Sequence, residues 1–220
     1  MKIYIMRHSE TDWNRQHRIQ GRTDTHLNIS GMNIAAMAGD GMKDIPIDLC
    51  FSSPLMRAQE TAALVVARNP HFVKGGSRII TDERLLEICF GIWEGKDGSD
   101  SAMGIDRAQF REFFTNLDSG FCPEGAERPA DVIARSQDFL NDLLSRKDLE
   151  DKTILVVSHG FTIRCMLSRF HDNLAEYFRK SDVLYNCQVA EAETDENGEL
   201  VLKKTGQLYY DKAHAQNFYR

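Results

Sequence analysis

The sequence predicts an α/β fold, a three-layer sandwich whose mostly parallel central sheet is flanked by helices. Short, almost wholly apolar runs at 2–6, 48–52 and 153–157 alternate with segments of helical composition, the pattern of strands buried on both faces. Each run stops abruptly at polar, reactive residues: Arg7-His8, Ser52-Ser53 and Ser158-His159. A helix-like segment follows each of the last two runs.

In chain order, Ile, Tyr and Met at 2–6 favour a strand that ends at Arg7-His8. The segment 30–43 is helix-like but weakened by Gly31, Gly39 and Gly41. After the run at 48–52, Ser53 suits an N-cap and Pro54 a first helical position, which predicts a helix over 55–68. Val132, Ile133, Ser136, Phe139, Leu140, Leu143 and Leu144 share one face of a helix over 131–146. The run at 153–157 carries the strongest strand pattern, and 161–170 reads as helical. Late runs at 188–194 and 200–205 flank Asn197-Gly198, the mark of a hairpin near one sheet edge. Residues 96–128 break the alternation. Gly98-Ser99-Asp100-Ser101 reads as loop, and Phe110, Phe113, Phe114 and Phe121 have no clear place in the main core. This variable excursion either covers the mouth of a site or forms a peripheral helix. Residues 1–220 are expected to form a single domain.

The formal net charge of −6 argues against generic binding to nucleic acid or acidic membranes. Arg7, Arg15, Arg18 and Arg22 nevertheless crowd the N-terminal region, as a local anion site would require. The five cysteines are odd in number and lack CxxC or zinc spacing, so reduced thiols are expected. No run has the length of a signal-peptide core or a membrane span, so a cytoplasmic location is expected.

In an open parallel sheet, ligands bind at the carboxyl ends of the strands, beside helix N-termini. His8, His159, Arg7 and Arg57 are therefore expected in one cleft. Arg57 falls in the first turn of its helix, and helical side chains lean towards the N-terminus. A planar guanidinium grips phosphoryl oxygens through paired donors. Singly, a histidine after a strand is more often a hydrogen-bonded loop residue, and a helical arginine more often a solvated charge. The two readings are evenly matched on this pattern. Gly95-Lys96-Asp97-Gly98 lacks P-loop spacing, and no HExxH, EF-hand loop or Gly-x-Ser-x-Gly elbow occurs.

The stretch Arg7-His8-Ser9-Glu10-Thr11-Asp12-Trp13-Asn14 resembles the Arg-His-Gly-Glu-Thr-x-Trp-Asn motif of the histidine phosphatase superfamily, the phosphoglycerate-mutase-like family. Four further blocks resemble that family in its order. They are Leu27-Asn28-Ile29-Ser30-Gly31; Ser52-Ser53-Pro54-Leu55-Met56-Arg57-Ala58; Leu85-Leu86-Glu87 with Gly91-Ile92-Trp93-Glu94-Gly95; and Val157-Ser158-His159-Gly160 with Arg164. The resemblance implies His8 as the nucleophile on phosphorus. Arg7, Arg57 and His159 would clamp the phosphoryl oxygens, with Asn14 as a neutral donor, and Glu87 would be the general acid. Glu83 is a nearby competitor expected at the surface. Gln20 and Gly21 match a segment near the leaving group, where an ordinary turn is nearly as good a reading. No metal and no cofactor are expected. Ser9 departs from the family's Gly and adds a Cβ and a hydroxyl beside the nucleophile.

The implied activity is hydrolysis of a small phosphomonoester, with no nucleic-acid or membrane partner. A phosphoglycerate mutase and a non-catalytic phosphate-binding protein on the same scaffold are the alternatives. The block at 93–95 is similar to the phosphatase side of the family. Natural substrate and oligomeric state are open at this stage.

Overall fold

A computed structural model of the chain describes residues 1–97, 105–115 and 120–215. The chain opens with β1 (Lys2–Arg7), a short helix α1 (Asp12–Arg15) and α2 (Ile29–Gly41). Then come β2 (Leu49–Ser52), α3 (Met56–Val66), α4 (Pro70–Lys74) and β3 (Ile79–Thr81). Next are α5 (Arg107–Thr115), α6 (Pro129–Ser145), β4 (Thr153–Ser158) and α7 (Gly160–Leu167). The last elements are α8 (Leu174–Lys180), β5 (Val189–Thr194) and β6 (Leu200–Gln207). The six strands form one sheet in the order β3-β2-β4-β1-β5-β6. β3, β2, β4 and β1 run parallel, and β5 and β6 are antiparallel additions on one side. The expected α/β sandwich is the fold, and the late hairpin lies at the predicted edge.

Every residue of β4 is buried, as its apolar run requires. One face of the sheet packs against α2 and α3 through residues such as Met6, Leu155, Ile34 and Ala62. The other packs against α6 and α7 through Ile5, Val156, Phe139 and Ile163. A third cluster joins Trp93, Phe113, Phe161 and Phe178. The aromatics at 110, 113, 114 and 121 thus belong to a side core, with Phe110 and Phe113 each 5.6 Å from Trp93. The Gly98-Ser99-Asp100-Ser101 loop lies outside the described residues.

Several boundaries shift. α3 starts at Met56, and its N-cap position is Leu55, without a side-chain hydrogen bond. Ser53 is not the cap: its hydroxyl accepts from the Leu55 amide, before the helix begins, and the Met56 amide donates to Asp24 Oδ1. Helix α2 begins at Ile29 because the side chain of Asn28 caps it, accepting from the Gly31 amide at 2.7 Å. A Cβ on Gly31 would fall 2.0 Å from the Glu10 carbonyl oxygen, so only glycine lets this first turn close against the chain after β1. Strand β3 had no sequence expectation. It is three residues long, and Ile80 is 40% exposed, so no apolar run announces it.

Candidate active site

Arg7 closes β1 and Ser158 closes β4, and the two are register partners. His8 and His159 therefore leave the sheet side by side. The His8 amide donates to the Ser158 carbonyl at 2.9 Å, and the ring centroids lie 5.1 Å apart. On the far side of β4, the Ser53 amide donates to the Val157 carbonyl at 3.0 Å. This levels Ser53 with His159, whose Nε2 is 2.7 Å from the Ser53 hydroxyl. Three strand ends thus converge on one point, as the sheet topology demands.

His8 is buried, and its Nδ1 lies 2.7 Å from the carbonyl of Ser9. A carbonyl only accepts, so Nδ1 carries the proton and Nε2 keeps its lone pair. Burial lowers the His8 pKa well below the ordinary 6.5, and the guanidinium groups of Arg57 and Arg7 lower it further. The ring is neutral at neutral pH. His159 is also held well below 6.5, by burial first and then by Arg57, His8 and Arg7. Its Nδ1 is buried without a hydrogen-bond partner among the described residues.

Arg7 and Arg57 are 2% and 1% exposed, so both are buried cations. Arg7 Nη1 donates to the Leu184 carbonyl at 2.6 Å. Arg57 donates through Nη1 to the Thr23 carbonyl at 3.0 Å and through Nη2 to the Gly21 carbonyl at 2.7 Å. That loop is fastened by Glu94. Its Oε1 accepts from the Arg22 and Phe90 amides at 2.9 and 3.0 Å, and its Oε2 from the Thr23 amide at 2.8 Å. Gly21 has φ +55°, and a Cβ there would meet Glu94 Oε1 at 2.1 Å. The glycine is required twice over, by conformation and by contact.

Glu87 caps α7. Its Oε2 accepts from the Phe161 amide at 3.2 Å, and its Oε1 from the amides of Thr162 and Ile88, both at 3.1 Å. The carboxylate therefore sits at the positive end of a helix dipole. Glu83 is exposed in a one-turn 3-10 helix, away from these contacts.

Arg7, His8, Gln20, Gly21, Arg57 and Glu87 line one cavity of about 380 Å³. Phe110 and Phe114 of α5, Phe161 of α7 and Phe178 of α8 also belong to its wall. His159 is fully buried against the His8 ring and is not among the residues that line the cavity. Asn14 is also absent from the lining. Its side-chain Oδ1 accepts from the Thr11 amide at 3.1 Å and closes a capping box on α1. Of the four N-terminal arginines only Arg7 reaches the cavity. Arg15 is exposed, Arg18 lies over Trp13, and Arg22 pairs with Glu127. The extra atoms of Ser9 point away from the site, and its hydroxyl donates to the Gly31 carbonyl at 2.7 Å.

Sequence reasoning did not foresee the Ser53–His159 contact, the Thr162 support of Glu87, or Asn186, whose Nδ2 donates to the His8 carbonyl at 2.9 Å. Ser53 was legible as a strand-end and helix-entry serine within a family block, but not as the partner of His159. Asn186 comes from an irregular segment with no periodicity to mark it.

The family model for the histidine phosphatase superfamily (branch 1) matches residues 3–205. A curated relative, the probable phosphoglycerate mutase GpmB of Enterobacter sp. (strain 638), is 30% identical over 197 residues, covering 90% of this chain and 86% of the relative. Among solved structures, Bacillus stearothermophilus YhfR superposes with a TM-score of 0.80 at 28% identity, covering 93% of this chain and 96% of that one. Phosphoserine phosphatase from Entamoeba histolytica, in complex with 3-phosphoglyceric acid, gives a TM-score of 0.76 at 28% identity, with 94% and 96% covered. A mycobacterial glucosyl-3-phosphoglycerate phosphatase gives 0.75 at 25% identity, with 93% and 98% covered.

Proposed function

Because the chain belongs to the histidine phosphatase superfamily, we propose that it hydrolyses small phosphomonoesters through a phosphohistidine formed on His8. The observation that carries the reading is the His8 tautomer. Nδ1 is committed to the Ser9 carbonyl, which leaves Nε2 as a neutral nucleophile in a cavity that also holds Arg7, Arg57 and Glu87.

In this mechanism Nε2 forms a bond to phosphorus while the bond from phosphorus to the ester oxygen breaks. The departing oxygen takes the electron pair and receives a proton from the Glu87 carboxyl. The resulting Glu87 carboxylate then takes a proton from water, the water oxygen bonds to phosphorus, and His8 is released. Arg7 and Arg57 balance the charge of the transferring group in a water-poor site. The Ser53 hydroxyl accepts from the Leu55 amide at 3.3 Å and can direct its own proton to His159 Nε2. His159 then carries its proton on the buried Nδ1, as a donor for a phosphoryl oxygen.

Structural relatives named as phosphatases support hydrolysis. Curated relatives named as probable phosphoglycerate mutases support transfer of the same phosphoryl group back to a bound phosphoglycerate. Both outcomes are read in one experiment, phosphate release from 4-nitrophenyl phosphate beside interconversion of 2- and 3-phosphoglycerate. Release without interconversion is expected, and interconversion without net release would replace the hydrolase with a mutase. His8→Ala is expected to abolish turnover and the acid-labile phosphoenzyme, and a variant with wild-type activity would remove His8 as nucleophile. The arginines supply the positive charge in this scheme, so activity is expected to survive EDTA.

A further inference from the structure

Beyond the phosphoryl clamp, the cavity carries a second concentration of positive charge. Its lining includes Arg111, Arg164 and Arg179, against Asp182 as the acidic group at that end. Arg111 and Arg179 are exposed at the rim, where charge is cheap. Arg164 is different, being 7% exposed. Its side chain donates to neutral acceptors only, from Nε to the Ser181 hydroxyl at 3.2 Å and from Nη2 to the Phe178 carbonyl at 2.6 Å. The guanidinium carbon stands 5.8 Å from the Phe161 ring and 5.2 Å from the Phe178 ring. Among the described residues no carboxylate reaches it within ion-pair distance. Burial lowers its pKa, which is the mark of a charge held at a cost. Asp182 and Glu87 offset part of that cost through space, but an arginine held in the cavity wall without a direct ion pair among the described residues is placed to receive an anion there.

The position of Arg164 defines the ligand. A Cβ on Gly160 would stand 3.8 Å from both Arg7 Nε and Glu87 Oε2, so Gly160 marks the phosphoryl end. Arg164 follows four residues later on α7, one helical turn or about 6 Å along the axis. Phe110, Phe114, Phe161 and Phe178 line the same cavity, and Arg164 packs over the last two. Resting on the phosphomonoesterase reading above, we infer that the favoured substrate is a compact bifunctional ester: a phosphate at one end, a short apolar or aromatic body, and a second anionic group received by Arg164.

Hydrolysis-resistant phosphonates separate this inference from the catalytic one. Calorimetric titration would compare benzylphosphonate with 3- and 4-(phosphonomethyl)benzoate and with 1,3-bis(phosphonomethyl)benzene. At least one dianchored ligand is expected to bind the wild-type protein about tenfold more tightly than benzylphosphonate. The carboxylate and bisphosphonate arms then tell which anion Arg164 prefers. Equal or weaker binding of all dianchored ligands overturns the inference, whatever the turnover of 4-nitrophenyl phosphate. Preference without turnover of any ester instead sinks the hydrolase and keeps the second anion site. R164Q is expected to abolish the preference and R164K to restore part of it, with melting curves showing that each is folded. A readout independent of mutation is benzoate titrated into protein saturated with orthophosphate. Simultaneous binding is expected, and mutual exclusion would mean a single anion site.

Discussion

At the residue scale, His8 draws its chemistry from its surroundings rather than from its own type. Burial and two guanidinium groups keep it neutral, so the nucleophilic form is populated above a pKa that lies below 6.5. The acid limb of kcat/KM is therefore expected below pH 6.5. Arg57→Gln removes the larger of the two charge contributions, so the His8 pKa rises and that limb moves to higher pH, alongside a fall in kcat. A pH–rate profile in which only kcat falls would show that Arg57 does not act on His8. Ser9 is the residue at which the chain departs from its family. Its hydroxyl bonds to the Gly31 carbonyl, so Ser9→Gly should cost stability of about 1 kcal/mol while leaving kcat nearly unchanged. Urea denaturation with parallel kinetics checks both halves. A large change in kcat would place the Ser9 side chain in the phosphate site.

At the element scale, the site is held by loops tied to helix ends. Glu94 fastens the chain at 22–23 to that at 90, and this loop supplies the carbonyls that hold Arg57. Glu94→Ala should release the guanidinium and reduce kcat/KM by about tenfold or more. Glu94→Gln, which keeps one carbonyl acceptor, should recover part of the loss. Equal defects in the two variants would show that charge matters rather than the acceptor. The elements that carry the core histidines were legible because their strands are continuous apolar runs, which only a doubly covered sheet accommodates. Strand β3 was illegible because three half-exposed residues leave no pattern. Helix α5 was visible as a cluster of aromatics, but its place on the cavity wall depends on Trp93 and Phe161, contacts that no local periodicity encodes. Asn14 shows the converse. Its motif was recognisable, yet the structure uses its side-chain oxygen to cap α1.

At the scale of the whole molecule, building a neutral histidine pair into the carboxyl ends of two central strands must make folding depend on pH. His8 and His159 are both buried with pKa values well below 6.5. In the unfolded chain each returns to about 6.5, so between the folded and unfolded values the unfolded state binds more protons. Stability is then fully present above about pH 6.5 and is lost as pH falls, by at most about 1.4 kcal/mol per pH unit for each histidine. His26 acts in the opposite sense. Its hydrogen bond to Glu60 raises its pKa, so its contribution is present at low pH and fades as pH rises. It is exposed, and solvent screening keeps it small. Asp48 and Asp82 have lowered carboxylate pKa values, so their stabilisation is lost only at lower pH, below about 4. The window between pH 6.5 and 4.5 thus belongs to the site histidines. Urea midpoints measured across it should fall steeply for the wild type, less for His8→Gln, and least for the variant that also carries His159→Gln. A double variant with the wild-type pH dependence would place the acid sensitivity elsewhere in the chain and remove the buried, neutral histidine pair as its cause.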